Sequence, residues 1–150
     1  RLGSTWACRH NLQYWRSLPY LGFGAGAHGY ANQTRTANVL SPVAYIHCLQ
    51  ELRTDHLMPF PTSPATGEVI PLDRQRVIGE YMLMGLRLVE EGVIEEDFQD
   101  RFGSSLQSEF GTVIEKLEKK GLVQWDRAKG TLRLTKRGCL LGNQAFSEFV

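Results

Sequence analysis

Hydrophobic and polar positions change rhythm about halfway along this chain of 150 residues. From Pro71 onward apolar residues recur at helical spacing and glycines punctuate the runs. Asp73 can cap a helix bearing Val77, Ile78, Tyr81, Met82, Gly85, Leu86 and Val89, which Gly92 would stop. A short acidic helix around residues 95–101 ends at Gly103. Ser104 or Ser105 starts another, with Leu106, Phe110, Val113, Ile114 and Leu117 on one face. Lys119 and Lys120 suit its C-terminal dipole, and Gly121 closes it. Residues 122–125 and 131–134 predict a hairpin around 126–130, and Thr135 opens a last helix through Leu140, Leu141, Ala145, Phe146 and Phe149. Three helices, a hairpin and a helix make a winged-helix-like plan.

The first part reads differently. Residues 1–40 are rich in glycine and aromatics and show little helical period. Residues 20–25 predict a buried strand and 26–29 the loop after it. Ser41-Pro42 has the form of a helix start, with Ser as N-cap and Pro at the first helical position. Tyr45, Ile46, Leu49 and Leu52 follow at helical spacing. Residues 58–71 hold four of the six prolines and predict an extended connector. The fold class expected from the whole is α+β, divided into 1–57, the connector 58–71, and 72–150.

A hydrophobic fraction of 42% suffices for one sizeable core or two small ones. No apolar run approaches the roughly 20 residues of a membrane span, and residues 1–6 show no apolar signal-peptide centre. A cytoplasmic protein is the expectation. The chain opens without Met, in mid-pattern, which suggests a piece of something longer. Net charge is +1, from 17 basic and 16 acidic residues. Neither part has the lopsided positive charge that drives phosphate binding. Cys8, Cys48 and Cys139 are odd in number and far apart, so they predict reduced thiols rather than a disulfide framework or zinc site.

The densest chemical signal is Cys8-Arg9-His10-Asn11-Leu12-Gln13-Tyr14-Trp15, which joins a thiol, an imidazole, an amide and two aromatic rings. Haem iron takes His or Cys as an axial ligand, and flat rings pack against a porphyrin face. On a helix His10 and Tyr14 would lie one turn apart on one side. By residue type alone the structural reading outweighs this, with Tyr14 and Trp15 in a core and His10 a hydrogen-bonded structural histidine. The second signal is Gly22-Phe23-Gly24-Ala25-Gly26-Ala27-His28-Gly29. On a strand its alternating glycines would leave one face bare for close approach of a helix or ligand. Gly24-x-Gly26-x-x-Gly29 matches the dinucleotide fingerprint literally, but the polar residues 30–34 do not open an amphipathic helix, so that reading is rejected. Close packing outweighs cofactor contact on spacing alone. His47, Cys48 and His56 predict surface or packing roles, and Glu95, Glu96, Asp97 and Asp100 a solvated face.

Taken together, Cys8-Arg9-His10-Asn11-x-x-Tyr14-Trp15 and Tyr20-Leu21-Gly22-x-Gly24-x-Gly26-Ala27-His28 resemble the oxygen-independent coproporphyrinogen III oxidase-like radical-SAM proteins, and within them the haem-chaperone (HemW-like) branch. Arg35-x-x-Asn38, the helix start at 42–45, Gly85-Leu86-Arg87, Gly121-Leu122, Leu134-Thr135 and Gly138 also fit, so the resemblance covers essentially the whole chain. It implies the remnant of a radical-SAM barrel edge followed by a mainly helical, winged-helix-like C-terminal domain. It implies haem binding through His10, Asn11, Tyr14 and Trp15, with His10 as the metal ligand. It places Gly24, Gly26, Ala27 and His28 near the S-adenosylmethionine pocket, although Gly29 stands where the family commonly has Ser. Haem or porphyrin, a further radical-SAM half, and haem-accepting membrane proteins are the implied partners; no nucleic acid is. The family's Cys-x-x-x-Cys-x-x-Cys motif for a 4Fe–4S cluster is absent from these 150 residues, so no catalytic residue is assigned and the chain alone is expected to be inert.

Three functions therefore compete. One is haem holding and handover. A second is a winged-helix nucleic-acid-binding module, which the 12 basic and 13 acidic residues of 71–150 disfavour. The third is a purely structural lid over an open barrel, whose apolar face would promote self-association when uncovered.

Overall fold

The computed structural model describes residues 8–51 and 58–150, so Leu52, His56 and residues 1–7 lie outside the described residues. The chain forms two compact units. One is Leu18–Arg74; the other joins the segment up to Ser17 with Gln75–Val150.

In the Leu18–Arg74 unit, β1 (His28–Ala31), β2 (Thr34–Asn38) and β3 (Thr66–Pro71) form an antiparallel sheet in the order β1-β2-β3. Asn32 and Gln33 turn β1 into β2 with φ of 49° and 55°. Two consecutive left-handed residues make the turn that matches the twist of a tight hairpin, and Asn tolerates that conformation well. Helix α2 (Pro42–Gln50) starts as its Ser-Pro pair predicts: the Ser41 hydroxyl accepts from the Ala44 amide at 3.3 Å. It buries none of its residues, and Val43 is 78% exposed.

The expected strand at 20–25 is not there. Only Tyr20 bridges, exchanging backbone hydrogen bonds of 2.7 and 2.8 Å with Tyr30. Gly24 (φ 105°) and Gly26 (φ 68°) take conformations that side chains resist, so the chain turns where the alternating glycines suggested extension. The strand begins at His28, inside the stretch expected to be a loop. β3 lies within the proline-rich stretch. The sheet is open, and no barrel closes among the described residues.

In the other unit, α1 (Arg9–Trp15) precedes α3 (Arg74–Gly85), β4 (Val93–Ile94), α4 (Glu95–Phe102), α5 (Leu106–Lys119), β5 (Val123–Asp126), β6 (Thr131–Leu134), α6 (Lys136–Leu140) and α7 (Gly142–Phe146). The second sheet runs β4-β6-β5, with the β5–β6 hairpin following α5 and the two-residue β4 pairing with β6. The periodic apolar positions are its core. Ile78, Met82 and Leu86 of the α3 segment, Phe98 of α4, and Leu106, Ile114 and Leu117 of α5 are all at most 1% exposed. Each contributes about 1.5–3 kcal/mol by leaving water. Ser105 and Ser108 form a reciprocal capping box at the start of α5, and Gly103 (φ 70°) and Gly121 (φ 67°) terminate α4 and α5.

The punctuation differs at two places. Gly92 was expected to stop α3, but the helix ends at Gly85 and Gly92 (φ 70°) serves the turn into β4, where Val93 pairs with Leu132. The last helix is split at Leu141 (φ −114°, ψ 28°), just before Gly142, a poor helix former. Thr135 caps its first half through the Gly138 amide at 2.9 Å. Gly138 is needed there for space: a Cβ would sit 2.9 Å from the Leu122 carbonyl carbon.

Candidate functional site

Seven residues are too few for a stable helix in water, and the N-cap residue Cys8 makes no side-chain cap. Helix α1 therefore depends on what grips its C-terminal end. Arg16 Nε and Nη2 donate to Glu91 Oε1 and Oε2 at 3.1 and 2.7 Å, a two-pronged charge pair. That hydrogen bond is the main reason the Arg16 guanidinium holds its proton more tightly than usual, against the opposing effect of desolvation. Arg101 donates to the carbonyls of Arg16 and Ser17 at 3.3 and 2.5 Å, where the dipole of α1 leaves acceptors unpaired. Its guanidinium also lies 5.2 Å from the Tyr81 ring centre and 5.6 Å from that of Phe102. Burial, followed by the charge of Asp97, pushes the Tyr81 hydroxyl up from its usual 10.

The helical repeat then divides the aromatic string between two directions. His10 and Tyr14 differ by about 40° around the axis, whereas His10 and Trp15 differ by about 140°. Trp15 is half-buried, with Arg87 5.7 Å from its ring centre; Arg87 lies also 5.1 Å from that of Phe146. His10 and Asn11 are exposed, and Tyr14 is 37% exposed. His10 Nε2 and Tyr14 Oη are 3.1 Å apart, with the rings edge to face and their centres separated by 5.0 Å. The structure thus brings His10 and Tyr14 together on an open face and sends Trp15 to the docking side.

The second expected set belongs to the other unit. Its glycine loop is held from within: Asn38 Nδ2 donates to the carbonyls of Gly22 and Gly24 at 3.2 and 2.9 Å, and the Gly24 amide donates to Tyr45 Oη at 3.1 Å. Gly26 donates to the Val39 carbonyl and Ala27 accepts from the Asn38 amide, both at 2.9 Å. His28 is exposed at the start of β1, in register with Ala37.

Sequence reasoning missed Arg16, Arg87, Glu91 and Arg101 as the residues that place α1. Arg16 and Glu91 are 75 positions apart, and no local pattern joins them. Among the described residues, no group of three or more His, Cys, Asp or Glu could hold a bare metal ion. A haem iron brings four ring nitrogens of its own and takes only axial ligands from protein. No helix of the described residues is long and apolar enough to cross a membrane.

Comparison with known proteins bears on both units. Residues 72–141, from just before α3 to the break before α7, match the model of the HemN C-terminal domain. The chain is 39% identical over 142 residues to the haem chaperone HemW of Bacillus subtilis, covering 95% of this chain and 34% of that one. It is 33% identical to the haem chaperone HemW of Lactococcus lactis over the same shares. The chain thus spans about a third of the length of these relatives. Among solved structures, coproporphyrinogen III oxidase (HemN) of Escherichia coli, a radical SAM enzyme, superposes with a TM-score of 0.58 at 18% identity, covering 88% of this chain and 28% of that one. At that identity the likeness speaks to the fold alone.

Proposed function

We propose that this chain is the C-terminal part of a haem chaperone and holds haem at the open face of α1; residues 72–141 match the model of the HemN C-terminal domain, and the chain is similar over 95% of its length to haem chaperones. His10 is the axial ligand in this reading. An exposed imidazole is the donor that haem iron takes, and Tyr14 beside it supplies a flat ring, so the residues present fit the group. Bound haem would supply the iron that accepts the imidazole and a flat apolar ring that packs on aromatic side chains. Asn11 adjoins the ligand, and Trp15, held against Arg87, fixes the helix that carries it.

The observation that carries this reading is the exposure of His10 on a helix anchored from its other side. A histidine locked in a dry core could not serve. Gly24, Gly26, Ala27 and His28 are proposed to line the S-adenosylmethionine pocket of the whole protein; the rigid bracing of their loop by Asn38 and Tyr45 supports this. The 4Fe–4S cluster would be held outside this chain, in the radical-SAM half, whose open barrel residues 72–150 are proposed to cover.

Haemin titration of the chain tests the reading. We expect a shifted Soret band in the parent chain and its loss in His10→Ala. An unchanged spectrum in His10→Ala would remove His10 from haem binding and end the proposal in this form.

A further inference from the structure

We infer that the Tyr14 hydroxyl caps the ligand nitrogen of His10 and has to swing aside before iron can bind. This deepens the haem-holding reading and rests on it. Of the two imidazole nitrogens, Nδ1 sits next to Cβ and close to the helix surface, whereas Nε2 is the outer one, where a broad planar macrocycle meets less of α1. Nε2 is also the atom that lies 3.1 Å from Tyr14 Oη. Both tautomers leave it occupied. If Nε2 carries no proton, its lone pair accepts the tyrosine O–H, and that lone pair is the one iron needs. If Nε2 carries the proton, it donates to Oη and has no lone pair to offer until the proton moves to Nδ1 through solvent.

Ligation therefore exchanges one bond for another. The hydrogen bond between Nε2 and Oη breaks, the iron–nitrogen bond forms from the Nε2 pair, and Tyr14 keeps its own proton. No oxidant or other reactant is required. The cap is intrinsic to α1, because positions four apart on a helix face each other and the edge-to-face rings hold the contact. Its function is to lower net affinity by raising the threshold for capture, as a carrier that hands its cargo on requires.

Tyr14→Phe removes the hydroxyl and keeps the ring. An exposed hydrogen bond contributes little net stability, so haemin should bind roughly two- to fivefold tighter to the variant. The gain should appear mainly in the association rate read by stopped-flow Soret absorbance. If His10→Ala abolishes binding but Tyr14→Phe binds no faster and no tighter than the parent chain, the cap is refuted while the haem reading stands. If His10→Ala binds like the parent chain, both fail. A second measurement needs no haem: the imidazole nitrogen shifts of His10, read by NMR, should show a changed tautomer balance in Tyr14→Phe. An identical balance in the two proteins overturns the cap on its own.

Discussion

Replacing Glu91 by Gln isolates the clamp that holds α1. The two side chains are 35% and 33% exposed, so solvent screens their charge. A pair of that exposure contributes up to about 1 kcal/mol, and the two-pronged geometry places it near the top of that range rather than the bottom. Gln keeps the shape and one acceptor but loses the charge. About 1 kcal/mol corresponds to roughly a fivefold change in an opening equilibrium. The observable is amide hydrogen exchange at Leu12 and Arg16, whose amides bond to the carbonyls of Cys8 and Leu12 at 3.1 and 3.0 Å. These should exchange roughly fivefold faster in Glu91→Gln. The amide of Leu122, which bonds to the Leu117 carbonyl at 2.9 Å inside the core, should keep its rate. High salt should narrow the gap between the two proteins, because the lost interaction is partly screened already. Equal rates at Leu12 and Arg16 in both proteins would show that the charge pair does not hold the helix. Acceleration at Leu122 to the same degree would mean that Glu91 supports the whole unit instead.

Two further outcomes follow from groups outside α1. Asn38 is only 8% exposed and donates two side-chain hydrogen bonds to the glycine loop; Asn38→Ala should cost about 1–3 kcal/mol in denaturant unfolding, because two carbonyls lose their donor. Glu148 is held below its ordinary value of 4.5, first by its hydrogen bond from Lys116 at 2.7 Å. A depressed carboxylate contributes stability that is complete above 4.5 and lost as the pH falls through the lower folded value. The stability difference between the parent chain and Glu148→Gln should therefore shrink across that acidic window in urea melts at stepped pH, and a constant difference would contradict the assignment.

Local rules account for what was legible. Ser105, Gly103, Gly121 and Thr135 each act within four residues of themselves, and each lies at the helix boundary expected of it, allowing that Thr135 caps only the first half of a split helix. The stripe of α5 needed only a 3.6-residue period. What failed was either too short or too distant to leave a local trace. β4 has two residues and exists because Val93 and Ile94 pair with Leu132 and Thr131. β3 contains Gly67 and ends in Pro71, which disguised a strand that pairs with β2. The glycine alternation misled in a specific way, since three glycines two apart fit a bare strand face and also fit a loop with two left-handed turns. The Asn32-Gln33 turn was the available signal for β1 and β2, between residues whose burial alternates. In the candidate site, the contact of His10 with Tyr14 follows from a spacing of four. The docking of Trp15 and Arg16 depends on α3 and the residues after it, which no spacing within the string reveals.

That dependence changes what the eight-residue string means. A face that presents an imidazole is useful only while the helix stays formed, and α1 is too short to form by itself. Its opposite side spends Trp15 and Arg16 on attachment to Arg87 and Glu91, just after α3, with Arg101 completing the last turn. If haem is taken by the docked helix alone, apparent affinity is the intrinsic affinity scaled by the docked fraction. Docking and capture are then one linked equilibrium, and by the same linkage bound haem tightens the clamp. Glu91 and Arg101, neither of which faces the proposed ligand, then set how much of it the chain holds. A histidine with the same neighbours on a free peptide would lack that coupling, so under the proposed reading the residues that dock α1 would govern haem capture without touching the ring.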